Sequence, residues 1–79
     1  MENRIIITNM TEAISKIETK NIAVEEIIHI SNNKFSYTDK NGITHYYLVF
    51  KSFNAYKKGI SSLPHNLYKS NSFYIAHFL

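Results

Sequence analysis

The 79-residue sequence contains no cysteine. Disulfides and thiolate zinc sites are thereby excluded as staples, and hydrophobic packing or self-association must hold the fold. Freedom from cysteine also fits a reducing compartment. Long apolar runs are missing as well. The N-terminal run Ile5-Ile6-Ile7 is far shorter than the core of a signal peptide or the roughly 20 residues of a spanning helix. The expectation is a soluble, cytoplasmic protein that makes no use of a membrane. Glycine and proline are scarce, at two and one, and no linker, internal repeat or low-complexity tract is visible. The chain is therefore read as one domain, residues 1–79, with a small core and modest net stability.

Arginine occurs once, at Arg4, against eight lysines. Bidentate reading of guanine edges and phosphates relies on the guanidinium fork, so sequence-specific DNA recognition is disfavoured. Together with abundant Ile and Asn, this usage points to an AT-rich genome. Catalytic signatures are absent too. There is no GxSxG, glycine-rich phosphate loop or HExxH. Glu25 and Glu26, if on a strand, point to opposite faces and cannot share a substrate atom. Asp39 sits in a turn, where Asx hydrogen bonding is its ordinary role. His29, His45, His65 and His77 lack the close spacing of metal ligands and read as strand and loop histidines. The chain is expected to be no enzyme and to carry no metal or cofactor.

What the sequence does contain is sharply segregated. All eleven aromatics lie between Phe35 and Phe78. Residues 1–26 hold five acids against three bases, net −2, and residues 27–79 hold one acid against six lysines, net +5. An acidic, Ile-rich start is joined to a basic, Tyr/Phe-rich remainder. That asymmetry bears on partners and association rates rather than on fold.

The fold class expected is α+β. Arg4–Thr8 is a β-branched run and predicts a short N-terminal strand. Asn9 and Glu12 stand at capping-box spacing, and Ala13, Ile14 and Ile17 share a helical face, predicting a helix over about 10–19. From Ile22 the period changes to two. Asn32-Asn33 and Asp39-Lys40-Asn41-Gly42 are turn signals. They divide residues of about 25–50 into a three-stranded antiparallel meander. Ser52 predicts the cap and Gly59 the stop of a short helix at about 53–58. After Pro64 the helical spacing of Leu63, Leu67, Tyr74 and Phe78 competes with alternation over residues 73–79, and a short C-terminal strand is preferred.

Two surfaces are candidates for function. The first combines Tyr37, Tyr46, Tyr47, Lys51, Tyr56, Lys57, Lys58, Tyr68 and Lys69. Tyrosine is enriched at interface hot spots and stacks on bases, and interleaved lysines suit anions. Tyrosines that complete a small core, and lysines that complement a helix end, are the plainer readings. The second is the apolar tail. Phe73, Tyr74, Ile75, Phe78 and Leu79 require burial in the domain or against another copy, and a twofold homodimer with this segment in its interface is expected.

Strand, strand, Asp-x-Asn-Gly turn, strand and helix over residues 27–59 resemble the arm-site DNA-binding domain of tyrosine recombinases. The resemblance implies a three-stranded sheet in the major groove supported by one helix, although the arginines of such domains are missing here. The first reading is a small non-enzymatic protein-binding module, an accessory or inhibitor protein of a phage or mobile element. Its target would be a host protein that handles nucleic acid or acts in defence. The alternative is a small DNA-binding domain using sheet, lysines and aromatics. Under the first reading nucleic acid is bound weakly and without specificity.

Overall fold

Ile6, Ile7, Met10, Ala13, Ile14 and Ile17 recur at three- and four-residue spacings, and burial of that stripe makes the first element helical. In the computed structural model, which describes residues 2–17, 22–60 and 62–78, helix α1 runs over Glu2–Ser15. The strand expected over Arg4–Thr8 is therefore helix, and Asn9 lies inside α1 rather than capping it. β-Branched propensity is worth less than an apolar stripe with a sheet to cover. Thr8 and Thr11 return their hydroxyls to the carbonyls of Arg4 and Ile7, at 2.9 and 2.8 Å. Residues 18 and 19 of the helix predicted over 10–19 lie outside the described residues.

A 3₁₀ turn, Val24–Glu26, replaces the start of the first meander strand. β1 (Ile28–Ser31), β2 (Lys34–Thr38) and β3 (Thr44–Phe50) follow. Helix α2 (Phe53–Gly59), β4 (Asn66–Ser70) and β5 (Phe73–Phe78) complete the described chain. The strands form one antiparallel sheet in the order β1-β2-β3-β5-β4. The α+β class and the meander stand, as does the C-terminal strand. β4 was hidden by the helical spacing of Leu63 and Leu67. Its hairpin to β5 turns through Asn71 and Ser72, both at positive φ (49° and 70°), the two-residue geometry that matches strand twist.

Two other turns use side chains to satisfy backbone. Gly42 adopts φ +79° in the β2–β3 turn. There Asp39 Oδ1 accepts from the amides of Asn41 and Ile43, at 2.9 and 3.0 Å. Ser52 caps α2, its hydroxyl accepting from the Ala55 amide at 3.1 Å. Gly59 has a different role from the left-handed stop predicted. It is the last residue of α2 and a Cβ there would meet Phe50 Cε1 at 2.9 Å. The helix lies close on the sheet because that position is bare.

Met10, Ala13, Ile14, Ile22, Ile27, Phe35, Tyr47, Val49 and Ile75 make the core, between α1 and one face of the sheet. Each large side chain buried there contributes about 1.5–3 kcal/mol. Strand alternation sends the neighbours of these residues to the opposite face, which α2 covers only in part.

Candidate functional site

The strand registers define the face opposite α1. Ile28, Ser36, Tyr46 and Phe78 form one cross-strand row, Lys34, Leu48, Ala76 and Leu67 a second, and Phe50, Tyr74 and Lys69 a third. Over the third row lies α2, where Phe53 reaches the Tyr74 ring at 5.7 Å and Tyr56 the Phe50 ring at 5.8 Å. Tyr56 also hydrogen-bonds His65. The Nδ1–H of His65 donates to the Leu63 carbonyl (2.8 Å), so its Nε2 accepts the Tyr56 hydroxyl proton (2.7 Å). The His65 ring meets Phe78 at 5.3 Å, which draws the 62–65 loop over that end of the sheet.

Elsewhere on this face Ser36 and Ala76 are buried among their neighbours, but larger apolar groups stay accessible. Ile28, Tyr46 and Leu67 remain 60%, 41% and 41% exposed. Three lysines lie over aromatic rings: Lys34 over Tyr46 (5.7 Å), Lys57 over Phe53 (5.7 Å) and Lys69 over Tyr74 (5.4 Å). Cation–π placement holds each ammonium against an apolar surface while leaving it in water. Among the described residues the carboxylates lie elsewhere. Glu12 is on α1, Glu25 and Glu26 are on the 3₁₀ turn that packs beside it, and Asp39 is in the β2–β3 turn.

The sequence-predicted binding set is thus split between two environments. Tyr46, Tyr56, Lys57 and Lys69 belong to the open face or the helix upon it, and Lys58 is exposed on that helix. Tyr47 does not, being 1% exposed within the core. Tyr37 and Tyr68 pack against the same core. Lys51 lines a separate cavity of about 350 Å³ with Ile6, Ile7, Met10, His29, Asn32 and Asn33. Within the predicted interface segment, Ile75 is wholly buried and Phe73, Tyr74 and Phe78 are partly buried inside one copy. β5 is an interior strand, and the sheet edges are β1 and β4. Leu79 lies outside the described residues.

A second constellation went unread in the sequence. Asp39 Oδ2 accepts from His45 Nε2 at 2.9 Å, and His45 Nδ1 meets His77 Nε2 at 2.8 Å. A carboxylate only accepts, so in the neutral state His45 is protonated at Nε2 and its Nδ1 accepts from His77. Tyr37 stacks on His45 (6.0 Å, 25°) and Tyr47 on His77 (4.8 Å, 16°). The hydrogen bond from His45, followed by that from the Ile43 amide, holds the Asp39 carboxyl below its ordinary value of 3.8. The spacing of Asp39 and His45 across a hairpin turn was a local signal for the first link. His77 is supplied by a strand 32 positions farther along, which no local pattern announces.

His77 also borders a cleft of about 430 Å³, with Leu63, Pro64, His65, Asn66 and Phe78. Two of the four histidines, His45 and His77, are therefore joined directly, while His29 bonds the Asn32 carbonyl and His65 bonds Tyr56 and Leu63. Among the described residues no group of three His, Cys, Asp or Glu is disposed to hold a metal ion. No described helix is long and apolar enough to cross a membrane. Comparison of the chain with known family models, curated proteins and solved structures finds no match.

Proposed function

We propose that the chain is a non-enzymatic protein-binding module whose contact surface is the sheet face opposite α1. The observation that carries this reading is the pairing on one face of exposed apolar groups with lysines. Ile28, Tyr46 and Leu67 are exposed among Lys34, Lys57 and Lys69, with no described carboxylate on that face. Such a surface complements a partner patch that is apolar at its centre and acidic at its rim. The aromatic centre would supply most of the affinity, and the lysines orientation and association rate. Size and AT-rich composition support the narrower reading of a phage or mobile-element accessory or inhibitor protein. On that reading it acts on host nucleic-acid-handling or defence machinery.

The test is capture from nuclease-treated host lysate on immobilised full-length protein, wild type beside Tyr46→Ala and Lys34→Ala. A partner lost with Tyr46→Ala and weakened at higher salt with Lys34→Ala supports the reading. Captured proteins indifferent to both substitutions refute it.

The lysines set over rings also favour a second reading, nucleic acid bound by phosphate contact and base stacking. Duplex affinity would then fall steeply with salt, through counterion release at several lysines. Under the protein-binding reading only weak duplex affinity is expected, in the range of about 10⁻⁴ to 10⁻⁶ M. Self-association, if it occurs, has β1 or β4 as its available strand edge. A concentration-independent monomer in light scattering rejects the homodimer.

A further inference from the structure

We propose that Asn41 is a site of spontaneous deamidation whose rate Asp39 governs by holding the β2–β3 turn closed. Of the nine asparagines in the chain, Asn41 alone precedes a glycine. The reaction is intramolecular and draws only on solvent water. The backbone nitrogen of Gly42 loses its proton and attacks Cγ of Asn41. The new N–Cγ bond closes a five-membered succinimide while the side-chain nitrogen departs as ammonia. Water then opens either carbonyl of the ring. One opening gives aspartate, the other its isomer, in which the main chain runs through the side-chain carbon. Glycine favours the attack because no side chain crowds its nitrogen. Asn41 and Gly42 are both exposed, and a Cβ at Gly42 would meet nothing within 4 Å.

What restrains the reaction is the bonding of the turn itself. The Gly42 N–H, whose proton must be lost, donates to the Asp39 carbonyl at 3.0 Å. The amides on either side, of Asn41 and Ile43, donate to Asp39 Oδ1 at 2.9 and 3.0 Å. Asp39 thus holds three consecutive N–H groups. Its other oxygen accepts from His45 at 2.9 Å, which anchors the carboxylate to β3. A bonded N–H gives up its proton less readily, and backbone torsions held on both sides of Asn41 keep the Gly42 nitrogen from turning onto Cγ. Attack therefore proceeds from the opened turn, at the intrinsic rate multiplied by the fraction open.

The change is one-way and reaches the two faces of the sheet. It places a new carboxylate beside that of Asp39 and lowers the net charge of +3 by one. The isomer also lengthens the backbone of a turn whose geometry sets the β2–β3 register. In that register Ser36 opposes Tyr46 and Phe35 opposes Tyr47, which puts one tyrosine outward and the other into the core. The turn accordingly sets a chemical lifetime for the hairpin.

The experiment incubates the full chain, native and in urea, at one neutral pH and temperature. Deamidation of Asn41 is followed by ion exchange and peptide mass, and hydrogen exchange is measured at the native Gly42 amide. Native deamidation should be slower than that in urea by the factor that protects the Gly42 amide, since both wait on the same opening. Asp39→Ala should speed native deamidation about five- to thirtyfold, two hydrogen bonds at their usual net worth, and leave the rate in urea unchanged. Asp39→Ser, whose hydroxyl accepts more weakly in the same kind of turn, should fall between the two. A native rate equal to that in urea, or one indifferent to Asp39→Ala, overturns the proposal. So does deamidation in urea that spares Asn41. Should Asp39→Ala fail to fold, the wild type decides alone: a Gly42 protection factor unlike the deamidation ratio rejects the guarded turn.

Discussion

Tyr46 and Tyr47 are adjacent in sequence and occupy opposite sides of one sheet. Tyr47 is enclosed with Phe35, Val49 and Ile75 beneath α1. Tyr46 lies in water, with the ammonium of Lys34 above its ring. Every strand through the middle of the sheet repeats this division. The covered face is apolar at its centre, with polar groups such as His29, Asn66 and the Asp39–His45–His77 row toward its margins, whereas the open face sets apolar groups among lysines. Composition cannot distinguish the two faces, because both are rich in large aromatic residues. The difference arises from a single long helix that has an apolar stripe for one face only. Register is consequently under strong selection by burial, since a slip of one residue would exchange the faces.

The largest expected effect breaks this comparison most directly. Tyr47→Ala should cost about 3–5 kcal/mol of unfolding free energy, by loss of buried area and creation of a cavity. Urea denaturation measures it. A loss no greater than that for Tyr46→Ala would mean that the faces are not distinct. Next is the seat of α2. Gly59→Ala should cost about 1–3 kcal/mol, because the new Cβ displaces the Phe50 ring and lifts the helix from the sheet. The accompanying sign is a change in near-UV circular dichroism from Tyr56 and Tyr74. A neutral Gly59→Ala would show that α2 adjusts freely on the open face.

Acid stability sharpens the account of the covered face's polar end. The Asp39 carboxyl is held below 3.8, chiefly by the hydrogen bond from His45. A depressed carboxyl contributes stability above its ordinary value, and that contribution is lost as pH falls below 3.8 through the folded value. Asp39→Asn should therefore lower stability at neutral pH and flatten the acid limb of the melting-temperature profile. An acid limb identical to that of the wild type would count against the role of the carboxylate. The smallest expected change is Tyr46→Ala, within about 0.5 kcal/mol in stability, as for surface substitutions generally. Loss of partner capture at unchanged melting temperature is the matching outcome under the proposed function.

Legible in the sequence were the α+β class, the three strands of the meander, the Asp39–Gly42 turn and the Ser52 cap. These depend on interactions within a few residues: period-two alternation, a side chain reaching its own turn, a hydroxyl reaching its own helix. The sequence also determined that charge and aromatic content would be asymmetric. Tertiary structure decided the rest. The run Ile5-Ile6-Ile7 has strand propensity and helical spacing at once, and only a sheet to cover selected the helix. Gly59 reads as a stop until Phe50 is placed against it. Leu67 reads as helical until β5 offers it a partner strand. Which tyrosine of the Tyr46-Tyr47 pair is core and which is surface depends on where α1 docks. His77 joins His45 only because β5 inserts between β3 and β4, a pairing between residues distant in the chain that leaves no local trace.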